Sequence, residues 1–161
     1  MARINQRAIP VVLIAIAVVF LAVRIGVGLA GKTTAAGPEG GSLVQWVSIE
    51  EGARLAASSG KPIMYDFTAE WCPPCHVLEA EVFQNAALAK EINERFIPVR
   101  VMDRQQEEGR NNPEVAELQQ RYEVMAFPTV IVADASGVVR ARMEGFRGRI
   151  SFERMMAQAA E

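Results

Sequence analysis

The sequence predicts an α/β protein: one three-layer domain with a central mixed sheet and helices on both faces, preceded by one amino-terminal transmembrane helix. Three observations lead there. From residue 43 to residue 161, short apolar runs with strand character alternate with segments of helical period, and such alternation covers a sheet on both faces. Ahead of them, Ala8 to Val23 is an uncharged apolar run of 16 residues, continued by Ile25 to Gly31 beyond Arg24. The chain's 161 residues suffice for one domain of ordinary size and an appendage, not for two large domains.

A helix rises about 1.5 Å per residue, so the uncharged run spans about 24 Å, and its continuation to Gly31 exceeds the roughly 30 Å hydrocarbon layer. Arg24 then lies near one interface, its long apolar stem allowing the charge to reach water. In this reading residues 1–31 are an uncleaved membrane anchor. The competing reading is a secretory signal peptide, with Arg3 and Arg7 as its positive end and a cut after Ala30 or Ala36. Its apolar core would be at or beyond the usual limit of about 15 residues. Either reading carries the domain across a membrane, and a small positive-inside bias puts the amino terminus in the cytoplasm. GKTTAAGPEGGS follows, without apolar period, so residues 32–42 read as a flexible linker and residues 43–161 as the folded domain.

Leu43 to Val47 alternates and reads as a short edge strand. Ser48 and Glu51 have capping-box spacing for a helix that runs to Ser59 and stops at Gly60. Pro62 to Thr68 is a candidate central strand, and a helix follows from about Pro73. Val77 to Phe96 is helical, broken near Gln84 and Asn85, where an amide side chain can cap a second helix. Ile97 to Met102 is the next strand, DRQQEEGRNN a charged loop, and Asn112-Pro113 starts a helix to about Tyr122. Thr129 to Ala133 and Val138 to Met143 flank a turn at Asp134 to Gly137, and Phe152, Met155, Met156 and Ala159 lie at the spacing of a closing amphipathic helix.

Charge narrows the partners. Net charge is −2, and Lys32 to Glu161 alone carries 14 basic and 19 acidic side chains, which offers no cationic surface for a nucleic acid. The arginines between Arg140 and Arg154 are interleaved with Glu144 and Glu153 and read as a solvated face. With two cysteines and His76 as the sole histidine, an ordinary four-coordinate zinc site lacks ligands.

Those cysteines form Trp71-Cys72-Pro73-Pro74-Cys75, where a strand hands over to a helix. Unpaired N–H groups and the dipole at a helix start stabilise a thiolate, which makes Cys72 the nucleophile. Cys75, one turn on, is placed to attack the mixed disulfide between Cys72 and a substrate. Pro73 and Pro74 stiffen the first turn and remove donors from it. A structural disulfide and a soft-metal clamp for Cu(I) are the competing readings of the pair. Asp66, on a strand expected to be buried, has a carboxyl suited to exchange a proton with Cys75. Glu70 is a second candidate for that proton work, with a solvent-facing charge as the plainer reading. His76, four residues after Cys72 on the same helix face, is placed to tune the thiolate or merely to be exposed.

DFTAEWCPPC, together with Phe127-Pro128-Thr129 about fifty positions later, resembles the thioredoxin superfamily over nearly all of Leu43 to Glu161. Within it, YDFTAEWCPPCHVLEAEVF is similar to the carboxy-terminal periplasmic domain of DsbD-type thiol:disulfide interchange proteins and to small membrane-tethered relatives. The resemblance implies a thioredoxin-like fold, a cis-proline at Pro128 facing the dithiol, and Asp66 as the carboxylate beneath it. It also implies a substrate-contact surface made by Trp71, Pro73, Pro74, Phe127 and Pro128.

The expected function is therefore a thiol:disulfide oxidoreductase, a protein-disulfide reductase with no cofactor beyond a redox-active Cys72–Cys75 disulfide. Its expected partners are protein thiols and disulfides and a membrane thiol electron donor. Its expected place is the bacterial inner membrane, single-pass, with the catalytic domain on the periplasmic side. A disulfide oxidase or isomerase, and a copper-carrying assembly factor, remain as alternatives.

Overall fold

A computed structural model describes residues 42–159. The expected anchor at 1–31 and nearly all of the expected linker at 32–42 lie outside the described residues. Among the described residues no helix is long and apolar enough to cross a membrane.

The first helix, α1 (Ile49–Ser59), begins as its sequence implies. Ser48 Oγ accepts the Glu51 N–H at 3.2 Å, and Gly60 ends the helix with φ 72°. Half of the capping box is used otherwise, because the Glu51 carboxylate pairs with Arg54. Gly52 lies against strand β2, and a Cβ there would collide with Val99, so only glycine lets helix and sheet approach this closely.

The sheet has the order β2–β1–β3–β4, with β1 at Ile63–Ala69, β2 at Ile97–Asp103, β3 at Thr129–Ala133 and β4 at Val139–Glu144. β1 runs parallel to β2 and antiparallel to β3, which in turn is antiparallel to β4. All seven residues of β1 are buried, as a strand flanked on both edges and covered on both faces must be. Met64 joins Val82, Phe83, Ile92 and Phe152 on one face, whereas Tyr65 and Phe67 join Val99, Leu118 and Tyr122 on the other. The period of two therefore puts Asp66 on the Met64 face.

The remaining helices are α2 (Pro73–Leu78), α3 (Ala86–Arg95), α4 (Gln105–Glu108), α5 (Pro113–Arg121) and α6 (Arg149–Gln158). Asn85 caps α3 through its side-chain oxygen, Pro113 occupies the first turn of α5, and Phe152, Met155 and Met156 of α6 are buried.

Three expectations are corrected. Leu43 to Val47 is not a strand; only Val47 bridges to Val99. Two of its backbone groups are taken by Asn93, which accepts the Gln45 N–H at 2.9 Å and donates to the Leu43 carbonyl at 3.0 Å, and the Trp46 N–H turns back to the Val44 carbonyl at 3.1 Å. The charged loop after β2 contains α4, nucleated where the Asp103 carboxylate accepts the Gln105 N–H. The helix after the cysteines widens to a π-helical turn at Glu79–Phe83, closed by Gln84 N–H donating to the Glu79 carbonyl at 2.9 Å.

Candidate active site

The end of β1 delivers Cys72 to the cap of α2 in an extended conformation, φ −94° and ψ 99°. Its Sγ accepts the Cys75 N–H at 3.3 Å, and its carbonyl accepts the same N–H at 3.1 Å. Pro73 and Pro74 have no N–H, so the Cys75 amide is the first donor this helix offers. The two sulfurs are bonded at 2.05 Å, with the Cα atoms 5.3 Å apart. Cys72 is 2% exposed and Cys75 6%, so an attacking sulfur reaches the pair through a narrow opening.

Phe127 packs on the cluster formed by Ala69, Cys72 and Cys75, and meets Trp71 edge to face at 5.9 Å. The Phe127–Pro128 bond is cis, and the Pro128 carbonyl is held by the Gly145 N–H at 2.8 Å. Trp71 is half exposed beside the disulfide, and Met125 is almost fully exposed two residues before Phe127. The structure thus brings Trp71, Cys72, Pro73, Pro74, Cys75, Phe127 and Pro128 to one end of the sheet.

Beneath this surface lies a cavity of about 300 Å³ whose lining includes Asp66, Cys75, His76, Glu79 and Arg100. Asp66 is buried. Burial pushes its carboxyl up to about 7; the Arg100 cation pulls it down, and the Glu79 carboxylate raises it further. Arg100 Nε stands 3.5 Å from Asp66 Oδ2, close enough to attract but not aligned for a hydrogen bond. Asp66 Oδ1 has no hydrogen-bond partner among the described residues. Arg100 instead bonds the Glu79 carboxylate. A carboxyl with a free oxygen and a midpoint near neutrality, in a cavity shared with Cys75, is equipped to take and return a proton.

Glu70 and His76 also border the cavity, and both side chains are engaged elsewhere. Glu70 pairs with Arg104 at 2.6 Å near the surface, and His76 Nε2 meets the Glu70 carbonyl at 2.9 Å. The residues that sequence reasoning missed are Arg100, Glu79 and Arg104. Arg100 carried a signal, as the one charge inside the apolar stretch IPVRVM; Glu79, one turn beyond Cys75, carried another. No group of three or more His, Cys, Asp or Glu side chains among the described residues is placed to hold a metal ion.

A family model described as a thioredoxin-like domain matches residues 49–160. The chain belongs to the thioredoxin-like family. The DsbD thiol:disulfide interchange protein of Vibrio vulnificus is 33% identical over 100 residues, 61% of this chain. Its counterpart from Yersinia pestis is 29% identical over 102 residues. The chain spans only 16% of the length of these relatives. Among solved structures, a DsbH oxidoreductase superposes with TM-score 0.63 at 23% identity, covering 81% of this chain and 91% of that one. The oxidised carboxy-terminal domain of DsbD from Neisseria meningitidis gives 0.53 at 23% identity, covering 68% and 90%. A thioredoxin from Thermus thermophilus gives 0.61 at 26% identity, covering 73% and 87%. In this fold the cysteine pair at the helix start supplies what thiol–disulfide exchange needs, one sulfur at the helix cap and a second sulfur one turn on.

Proposed function

We propose that this chain is an extracytoplasmic protein-disulfide reductase, which takes an electron pair from a membrane thiol donor and passes it to oxidised protein thiols. In the reduced form the Cys72 thiolate attacks a substrate S–S bond, forms a mixed disulfide and expels the first substrate thiolate. Cys75 gives its proton to the Asp66 carboxylate and attacks Cys72 Sγ. The second substrate thiolate leaves, and the Cys72–Cys75 disulfide remains. Two electrons have passed to the substrate, and a dithiol donor restores the pair by the same steps in reverse.

The observation that carries this reading is the placement of Asp66, buried beneath Cys75 with one oxygen free and its midpoint at about 7. The helix start supports the reducing direction. A pair becomes strongly oxidising when its reduced form is stabilised, and here Pro73 and Pro74 leave the Cys72 thiolate a single donor, the Cys75 N–H. The membrane reading draws on the Ala8 to Val23 run and the linker after it, which make a single-pass anchor in a bacterial inner membrane with the domain on the periplasmic side.

Alkylating thiols in living cells with a reagent that adds mass tests the direction. A reductase keeps Cys72 and Cys75 mostly reduced; a mostly oxidised pair would assign the opposite direction. A reporter active only outside the cytoplasm, fused after Glu161, tests the location, and its silence would defeat it.

A further inference from the structure

The segment that joins the linker to the domain reaches the cavity under the dithiol. Trp46 lays its ring against Arg100, with the guanidinium carbon 4.2 Å from the ring centroid. The indole is itself fixed on two sides: it meets Phe83 edge to face at 4.9 Å, and its Nε1–H donates to Ser42 Oγ at 2.9 Å. Phe83 adds a second ring face 5.8 Å from the same guanidinium. Arg100 is therefore held from below by two aromatic rings and from one side by the Glu79 carboxylate, and only then lies 3.5 Å from Asp66. That last contact has no hydrogen bond to hold it. Something other than Asp66 must keep the cation there, and a ring face attracts a guanidinium and fixes its plane.

We infer that Trp46 is a positioning residue for the redox site: its indole holds Arg100 against Asp66, so the chain segment nearest the linker sets the charge balance beneath Cys75. Every charged group facing Asp66 enters that balance. Arg100 comes from β2 and Glu79 from the π-helical turn, with His76 of α2 and Glu70 of the preceding turn on the cavity wall; Ser42, Thr68 and Gln84 contribute uncharged polar groups. Without the indole, Arg100 is free to follow Glu79 outward, leaving Asp66 beside a like charge. The placement of Arg100 stands on geometry alone, while its consequence for thiol exchange rests on the reductase reading above.

The test is a carbon NMR titration of the Asp66 carboxyl in the full chain, oxidised and in detergent micelles. Trp46→Leu keeps apolar bulk and removes the ring face, so it should fold; Trp46→Phe restores a ring. Arg100→Gln should raise the Asp66 midpoint by about one pH unit or more. Trp46→Leu should raise it by less, Trp46→Phe should stay at the wild-type midpoint, and the double variant Trp46→Leu/Arg100→Gln should shift no further than Arg100→Gln alone. An unchanged or lowered midpoint in Trp46→Leu, or fully additive shifts in the double variant, would overturn the inference. The same proteins, once reduced, are then assayed on a disulfide peptide across pH. A rate profile that moves to higher pH with the midpoint supports the link to exchange. A midpoint that moves while the profile stays would keep Trp46's hold on Arg100 and defeat the use of Asp66 by the dithiol.

Discussion

Neighbouring strands each bury an aspartate, and the two are treated in opposite ways. Asp103, at the end of β2, accepts from Asn111 Nδ2 at 2.6 Å, Gln119 Nε2 at 2.8 Å and the Gln105 N–H at 3.1 Å. Asn111 also bonds the Arg104 N–H and Gln119, so the carboxylate knots the loop after β2 to α5. Asp66, in the middle of β1, faces Arg100 across the parallel ladder and has one oxygen with no partner. Burial is common to both, at 5% and 2% exposure, so burial does not separate a structural acid from a reactive one. Satisfaction does: a carboxylate with both oxygens engaged by donors holds chain together, and one with an oxygen left unpaired is free to exchange a proton.

Replacing each acid should break the symmetry, with the largest effect at Asp66. Its folded midpoint of about 7 lies above the ordinary 3.8, so the native chain keeps a proton that the unfolded chain has lost between those values. Stability therefore falls as pH rises through that window, and the full cost, about 4 kcal/mol, is present above it. Asp66→Asn should stabilise the oxidised protein at pH 8 by up to about that amount, with the gain gone below pH of about 4, as read by denaturant unfolding at both pH values. Asp103→Ala should act in the reverse direction, costing about 2 kcal/mol at neutral pH because the partly buried Asn111 and Gln119 lose their acceptor. A gain in its denaturation midpoint would erase the contrast between the two acids. Asn111→Ala removes one arm of the knot and should cost about 1 kcal/mol on the same measurement. The smallest effect is expected at the exposed Glu70–Arg104 pair, where Glu70→Gln should cost less than about 1 kcal/mol, and less still in high salt.

Much of this was legible locally. Ser48, Gly60, Asn85 and Pro113 mark helix ends through contacts with their own neighbours, and the strand-to-helix handover at Cys72 is written in ten consecutive residues. What was not legible depends on partners distant in sequence. The alternation at Leu43 to Val47 reads as a strand until Asn93, about fifty residues away, claims two of its backbone groups. Arg100 is a lone charge in a strand until the π-helical turn aims Glu79 at it and Trp46 stacks on it. Asp66 and Asp103 look alike in sequence, since only folding shows which donors reach each carboxylate.

The most direct measurement concerns the cysteine that attacks. With Cys75→Ala the mixed disulfide cannot be resolved, so adducts to substrate proteins should accumulate, be released by a thiol reductant, and map by mass spectrometry to Cys72. Absence of such adducts in cells expressing Cys75→Ala, or their persistence when Cys72 is also replaced by Ala, would contradict the assignment of Cys72 as the nucleophile of a disulfide-exchange site.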